Sequence, residues 1–222
     1  MTVRISSSVS ESLKDLGASG WALVGGVDPK SDLSRLFDGL GTPTPSSLAG
    51  PAVDLLEAHD VEDARPRSLS AEVGLARFPW HTEGSHWPTP PRYFALRFVS
   101  GERAPTLLAP FDALELSADD LRLFRRSVFR VASPRGKFLT TILESRGRSI
   151  GDIVRFDRRV LQPATPDAWQ ATNRLGQVLE AHEPLAVDWE PGLVLIVDNW
   201  RVLHSREAVE GDRTLERVLL RA

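Results

Sequence analysis

The sequence predicts a mainly β protein with flanking helices, built as a β-sandwich or jelly-roll barrel. Many short apolar segments, rich in β-branched and aromatic residues, are separated by turns that contain glycine or proline. Helical patterns cluster early in the chain, with one helix inserted late, and no internal repeat is visible. Because strand ends converge at the mouth of such a barrel, a metal ion held between two strands can lie there.

The first part of the chain is predicted to be largely helical. Trp21–Val24 is typical of a strand that ends in a glycine turn. Ser31 can cap a short helix with apolar residues at helical spacing, and Gly41 offers a left-handed end. Three further segments follow: a loop over 42–51, a helical turn over 52–59 and a charged loop over 60–67.

The middle of the chain is predicted to be mostly β. Tyr93–Val99 and Thr106–Ala109 are strand candidates, and together they resemble a hairpin. Ser117 begins a helix with acidic residues in its first turn. The remaining predicted elements are short strands over 129–132 and 153–156, a helix from Asp167 to about His182, strands over 185–189 and 193–197, and a final strand over about 215–220.

Length and composition fit one soluble domain. At 222 residues we expect a single domain, with a helical part over about 1–70 and a jelly-roll core over about 70–222. A net charge of −3 favours neither nucleic acid nor an anionic membrane as partner, so a small-molecule substrate is expected. The N-terminus lacks a signal-peptide pattern and no segment is long and apolar enough to span a membrane, which predicts a cytoplasmic protein. The sequence does not fix the oligomeric state.

The chain contains no cysteine. This excludes disulfides, thiolate zinc sites, iron–sulfur clusters and cysteine nucleophiles. Any metal ion must therefore be held by His, Asp or Glu.

Two motifs supply such a ligand set. His81 and Glu83 are two residues apart, so on an extended strand their side chains point to the same face. His204 comes shortly after the apolar run 193–197, which is typical of a buried strand. Two imidazoles and one carboxylate on one face leave positions open for a co-substrate and dioxygen, as a non-haem iron oxygenase requires. A histidine and a glutamate two residues apart occur often by chance, so the prediction of a metal site depends on the distal His204.

Arginines in the final strand form a second group of candidate site residues. Arg213, Arg217 and Arg221 lie on one face of a strand, because side chains alternate. Arg213 and Arg221 could simply mark an exposed edge. Arg217 lies in the middle of the strand, between Leu215 and Val218, where burial is favoured, and a buried guanidinium must be paired. A dicarboxylate co-substrate would supply that partner.

The order of these motifs resembles a known superfamily. The motifs are the run Trp80-His81-Thr82-Glu83, the strand led by Thr89-Pro90-Pro91-Arg92-Tyr93, the run from Thr106, the run Asp198 to His204 and the run Arg217 to Arg221. Over roughly Gly20 to Arg221, the chain is similar to Fe(II)/2-oxoglutarate-dependent dioxygenases of the taurine dioxygenase and clavaminate synthase-like superfamily.

The resemblance implies a double-stranded β-helix core and a set of site residues. It implies Fe(II) bound by His81, Glu83 and His204, with dioxygen as oxidant. It further implies that Thr106 and Arg217 hold the distal carboxylate of 2-oxoglutarate, and Arg213 is a competing choice for this role.

The identity of the carboxylate narrows the expected reaction. Glutamate at position 83 is similar to clavaminate synthase and related amino-acid hydroxylases, whereas taurine dioxygenase has aspartate there. An amino-acid-like or natural-product substrate is therefore expected. A halogenating relative would have a small residue at position 83, so halogenation is disfavoured. Hydroxylation with release of succinate and CO2 is the expected outcome, and desaturation or cyclisation would use the same residues.

Substrate contacts are predicted for residues that follow the metal motif in the chain. Ser85, His86 and Trp87 follow it and could frame a small ligand at the mouth, although Trp87 could equally be a packing residue. Arg155 and Arg221 could each bind a substrate carboxylate. Two other classes remain open: a zinc-dependent hydrolase with the same ligands and a non-catalytic jelly-roll binding protein.

Overall fold

Two β-sheets that face each other form the centre of the protein. The computed structural model describes residues 5–6, 8–47, 49–64, 70–147 and 151–222. The predicted loops over 42–51 and 60–67 lie partly outside these residues.

The larger sheet has seven strands. They are β1 (Ile5–Ser6), β2 (Trp21–Val24), β3 (Thr42–Pro43), β4 (Val53–Glu57), β6 (Tyr93–Gly101), β14 (Val194–Asp198) and β16 (Arg213–Arg221). The order is β1-β2-β14-β6-β16-β3, and β4 also pairs with β16. The central strand β6 is antiparallel to both β14 and β16.

The smaller sheet has four strands. They are β5 (Phe78–His81), β7 (Thr106–Pro110), β13 (Leu185–Val187) and β15 (Val202–Arg206). The order is β13-β7-β15-β5, and every pair is antiparallel. Both predicted metal motifs lie in this sheet, since β5 carries His81 and its neighbour β15 carries His204.

Apolar side chains fill the space between the two sheets. On β6, Phe94, Leu96 and Phe98 face this core together with Leu108 of the smaller sheet, while Ala95 faces the opposite side. This alternation follows from the period of two along a strand. The polar side chains that also face this space therefore lie in a largely apolar surrounding.

Helices and two small sheets cover the outer faces. The helices are α1 (Val9–Ser19), α2 (Ser70–Val73), α3 (Ala118–Arg126) and α4 (Pro166–Ala181). The small sheets contain β8 (Phe129–Ser133), β9 (Gly136–Thr140) and β12 (Gln162–Pro163), and β10 (Leu143–Ser145) with β11 (Asp152–Val154). α1 contributes Leu16 to the core on the outer side of the larger sheet, and α3 and α4 share a third core with Leu203 of β15. Among the described helices, none has the length and hydropathy of a membrane span.

The mainly β prediction is confirmed, as are its strongest elements. The strands predicted over 21–24, 93–99, 106–109 and 215–220 correspond to β2, β6, β7 and β16. The helix predicted from Ser117 is α3, and its capping box between Ser117 and Asp120 is formed. The late predicted helix is α4.

Several predictions of local structure are wrong. The segment 52–59 contains strand β4 instead of a helical turn, and residues 33–40 form consecutive turns instead of a helix. β6 and β7 do not pair as a hairpin, because they belong to different sheets. The part over 1–70, expected to be helical, contains helix α1 together with β2, β3 and β4, which extend the larger sheet. For the segment 52–59, pairing with β16 across the sheet outweighs the local pattern.

Candidate metal centre

Three predicted ligands converge between the two sheets. His81, Glu83 and His204 each offer a ligand atom, and these atoms lie within 4.8 Å of one another. His81 and His204 are direct register partners, and their ring centroids are 4.1 Å apart. Glu83 lies just beyond the end of β5, and its Oε1 is 3.6 Å from Nε2 of His204. His204 lies inside its own strand, so the prediction that it follows the end of the preceding strand is wrong.

The protonation state of His81 suits a metal ion. Nδ1 of His81 lies 2.9 Å from the carbonyl of Pro79, so it can donate there and leave Nε2 free as a ligand. Burial and then the neighbouring His204 lower the pKa of His81 to about 4, so this ring is neutral at pH 7. Nδ1 of His204 is buried without a hydrogen-bond partner among the described residues. Two buried imidazoles beside a carboxylate form the donor set of a non-haem iron site.

The loop that carries Glu83 is fixed by Asn199. Oδ1 of Asn199 accepts the Glu83 backbone N–H at 2.7 Å, and its Nδ2 donates to the carbonyls of Glu83 at 2.9 Å and Pro91 at 2.8 Å. The turn needs glycine at position 84, because its φ is +64° and a Cβ would lie 2.7 Å from Cδ of Pro91. The main chain at Glu83 is therefore held by the side chain of Asn199 and not by strand pairing.

Arg217 reaches Glu83 from the larger sheet. Its NH1 donates to both carboxylate oxygens at 3.0 Å, and its NH2 donates to Asp54 Oδ2 at 2.9 Å. Burial opposes ionisation of Glu83, but the attraction of Arg217 and then of His204 lowers its pKa well below the usual range. The metal-facing carboxylate is therefore ionised at neutral pH.

Thr106 contacts Arg213 and not Arg217. NH2 of Arg213 donates to Oγ1 of Thr106 at 3.3 Å, and Nε1 of Trp189 donates to the same oxygen at 3.1 Å. Arg213 is 7% exposed, and its Nε has no partner among the described residues. Its expected place on an exposed edge is therefore wrong. A buried charge requires a partner, and the hydroxyl of Thr106 supplies one hydrogen bond to this guanidinium.

Of the three predicted residues after the metal motif, Ser85 and Trp87 are packed and not open to a mouth. Ser85 is buried, and its hydroxyl donates to the carbonyl of Thr82 at 2.6 Å. Trp87 is buried in the core between the sheets, with Arg135 stacked on its ring at 3.8 Å. Nε1 of Trp87 donates to Nε2 of His86, which is partly exposed. Of these three, His86 is the one that retains access to a ligand.

The two other predicted substrate residues differ in their surroundings. Arg155 is fully buried, and its NH1 donates to the carbonyls of Ser85 at 2.8 Å and Trp87 at 2.6 Å. Its NH2 donates to the carbonyl of Pro88 at 3.1 Å, so the geometry favours a supporting role for Arg155 over a substrate contact. Arg221 is exposed at the end of β16, where it stays a candidate.

Asn199 and Asp54 have roles that the sequence patterns did not indicate. Asn199 belongs to the run Asp198 to His204, but its contacts to Glu83 and Pro91 depend on segments more than a hundred residues away. Asp54 falls in the segment predicted to be a helical turn. If Val53–Glu57 is instead interpreted as a strand, its side chains alternate between two faces, and Asp54 and Leu56 share one of them. On this face, Asp54 lies opposite Arg217 and Leu56 packs against the core between the sheets.

Comparisons with known proteins agree with this geometry. The family model described as "Taurine catabolism dioxygenase TauD, TfdA family" matches residues 114–222. Clavaminate synthase 2 from Streptomyces clavuligerus is 30% identical over 171 residues, which cover 69% of this chain and 52% of that protein. The chain thus spans about half the length of this curated relative.

Solved structures share the fold. The non-haem iron oxygenase OrfP in complex with Fe superposes with a TM-score of 0.67 at 21% identity, over 96% of this chain and 76% of that chain. Asparagine oxygenase superposes with a TM-score of 0.69 at 20% identity, over 95% of this chain and 76% of that chain. The predicted jelly-roll fold is therefore confirmed.

Proposed function

We propose that this chain belongs to the taurine dioxygenase and clavaminate synthase-like superfamily, to which it is similar, and that it is an Fe(II)- and 2-oxoglutarate-dependent oxygenase. It hydroxylates an unactivated C–H bond of a small, amino-acid-like or natural-product substrate and releases succinate and CO2. The observation that carries the proposal is the convergence of His81, Glu83 and His204 within 4.8 Å. This donor set is the facial arrangement used by non-haem Fe(II) oxygenases.

The co-substrate site proposed here is built on Thr106. The contact between Thr106 and Arg213 supports Arg213 as the residue that binds the distal carboxylate of 2-oxoglutarate. Arg213 is buried without an acidic partner among the described residues, whereas Arg217 already pairs with Glu83 and Asp54. The resemblance favours Arg217 instead, so the two arginines are the alternatives that mutagenesis must separate.

The remaining residues of the site orient and shield the reacting groups. Bound iron, 2-oxoglutarate and dioxygen would supply the oxidising chemistry. Asn199 fixes the main chain at Glu83, and Arg155 ties down the loop over 85–88 that follows it. Apolar packing by Phe94, whose ring centroid is 4.7 Å from that of His204, keeps water from one side of the site.

The substrate class is proposed from the relatives. OrfP has been solved with L-homoarginine and with (3S)-hydroxy-L-Arg, and asparagine oxygenase with 3-hydroxyasparagine and succinate. These proteins support an amino acid or a close derivative as substrate. Desaturation or cyclisation would use the same iron and co-substrate residues, so the substrate pose decides between these outcomes. We further propose that the whole chain acts as one domain in the cytoplasm, as expected from the sequence.

Anaerobic spectroscopy tests the proposed chemistry. Addition of Fe(II) and 2-oxoglutarate to the protein should give a weak visible charge-transfer band, because the co-substrate chelates the iron. The variant His204→Ala should lose this band. His182→Ala is the matched control, since His182 lies at the C-terminal cap of α4, and it should retain the band.

A zinc hydrolase or a binding protein would behave differently. Zinc binding without the band, and without succinate release for any amino acid or derivative offered, would contradict the oxygenase proposal. If the band forms but free amino acids do not stimulate succinate release, the oxygenase proposal stands and the substrate class is wrong.

A further inference from the structure

A cavity of about 470 Å³ lies beside the turn over 198–201, and none of the three metal ligands lines it. Its apolar surface comes from Phe111, Leu114, Leu116, Leu121, Leu143 and Val154. These side chains belong to the outer side of the smaller sheet, where α3 packs, and not to the space between the sheets. A cavity of this size with an apolar lining and a few polar groups has the properties of a small-molecule site.

The rim of the cavity carries equal numbers of acids and bases. Arg125 pairs with Asp152 at 2.8 Å, and Arg201 pairs with Asp112 at 3.2 Å. Arg92 and Asp198 form a third pair, with 3.6 Å between NH2 and Oδ2. Because the lining carries three arginines and three aspartates, a ligand with a large net charge of either sign gains little here. A ligand that carries both charges can contact both kinds of group.

The pair formed by Arg92 and Asp198 has unused hydrogen-bonding capacity. Asp198 is 3% exposed, and its Oδ1 accepts the backbone N–H of Trp200 at 3.2 Å. Its Oδ2 is 3.6 Å from NH2 of Arg92, which is too long for a hydrogen bond. Nε of Arg92 is buried without a partner among the described residues, while the guanidinium lies over the rings of Tyr93 and Trp200. The buried carboxylate of Asp198 and the buried Nε of the partly exposed Arg92 are therefore incompletely paired and can take further partners.

We propose that this cavity binds a small zwitterion with an apolar side chain, of which an apolar α-amino acid is the simplest example. The ligand carboxylate binds Arg92, its ammonium group binds Asp198, and its side chain packs on Leu121 and Leu143. This site is separate from the metal centre, and the proposal does not rest on the oxygenase function.

The site is also placed to act on the metal centre. Asp198 and Trp200 line the cavity, and Asn199 between them holds the main chain of Glu83. A ligand that orders Asp198 and Trp200 therefore acts on the residue that positions a metal ligand. Binding at the two sites should be coupled, and the coupling must be reciprocal.

Calorimetric titration of the full chain in EDTA with L-phenylalanine tests the site. Saturable binding is expected without metal, and 3-phenylpropionate and 2-phenylethylamine, which each lack one charge, should bind at least about tenfold more weakly. Leu121→Trp should abolish binding because the indole fills the cavity. Leu139→Trp is the matched control, since Leu139 is 67% exposed and lies outside the cavity. Asp198→Asn should reduce the preference for L-phenylalanine over 3-phenylpropionate.

The outcomes that would overturn the proposal are distinct. Absence of L-phenylalanine binding, equal binding of the three probes, or unchanged binding in Leu121→Trp would each do so. Binding that requires both metal and 2-oxoglutarate would assign the ligand to the metal centre and overturn the second site. Saturating L-phenylalanine should change the dissociation constant for Co(II) by roughly fivefold or more. An unchanged constant would overturn the coupling through Asn199.

Discussion

Arg217 donates from NH1 to both carboxylate oxygens of Glu83 across the space between the two sheets, at 3.0 Å each. Glu83 thus pairs with a guanidinium from the larger sheet and lies beside two imidazoles from the smaller one. A metal ion bound by Glu83 must share its charge with Arg217. The affinity for metal and the partners of Arg217 are therefore linked.

Loss of the charge on Arg217 should strengthen metal binding. We expect Arg217→Gln to tighten Co(II) binding at least about fivefold, because a positive charge beside Glu83 repels a divalent cation. Isothermal titration with Co(II) at pH 7 measures this change. Arg221→Gln is the control, since Arg221 is exposed at the end of the same strand. Weaker binding in Arg217→Gln would mean that Arg217 mainly positions Glu83.

Binding of 2-oxoglutarate should depend on Arg213 and not on Arg217. We expect Arg213→Gln to raise the 2-oxoglutarate concentration needed for half-formation of the anaerobic charge-transfer band by about tenfold or more, since a charge-assisted hydrogen bond is lost. Fe(II) affinity should be unchanged, because Arg213 contacts Thr106 and none of the metal ligands. A large effect of Arg217→Gln on this titration, with none from Arg213→Gln, would support the assignment by resemblance instead.

Asn199 should contribute to both stability and metal binding. Asn199→Ala removes three hydrogen bonds and leaves the Glu83 N–H and two carbonyls without these partners, at a cost of about 2–4 kcal/mol in the free energy of unfolding. Co(II) affinity should fall roughly tenfold, as for other residues that orient metal ligands. Urea unfolding and Co(II) titration measure the two effects. Asn173→Ala, on an exposed face of α4, should change neither.

The capping box of α3 should make stability depend on acid pH. Asp120 accepts hydrogen bonds from Arg174 at 2.8 and 3.0 Å and from the Ser117 N–H at 2.9 Å. The bonds from Arg174 are the main cause that lowers the pKa of Asp120 below its usual 3.8. The folded state therefore binds this proton less readily than the unfolded state, so the contribution is full above about pH 4 and is lost as the pH falls.

Asp120→Asn should consequently cost about 2 kcal/mol at pH 7 and less at pH 3. Urea unfolding at the two pH values measures this difference. Asp119→Asn is the control, because its pair with Arg122 is exposed and should matter little at either pH. A cost for Asp120→Asn that does not shrink at pH 3 would contradict the electrostatic explanation.

The elements that the sequence predicts correctly are those with a local signal. Helix α3 has a capping serine, and β6 is a long apolar segment with aromatic residues, so both were identifiable from their own residues. β4 was misassigned because Val53, Leu55 and Leu56 fit a helical turn as well as a strand. Its pairing with β16 decides the structure, and this pairing joins residues far apart in the chain.

In the candidate site, too, the sequence indicates residues with a local signal but not the contacts between distant segments. His81, Glu83 and His204 are chemically distinctive residues, and their types alone indicated a metal site. The partner of Thr106 could not be predicted, because Arg213 and Arg217 occupy equivalent positions on one strand face. A bulge between Thr214 and Leu215 and the packing of the two sheets decide which guanidinium reaches Thr106.

The direct pairing of His81 with His204 makes the metal site sensitive to errors in strand assembly. Leu203, next to His204, points into the core shared with α3 and α4 on the opposite face of β15. If β15 slipped by one residue against β5, His204 would enter that apolar core and an aliphatic or hydroxyl side chain would face Glu83. Misassembled molecules would therefore bind no metal. In a refolded preparation, the fraction of molecules that bind metal would then measure the fraction that is correctly folded.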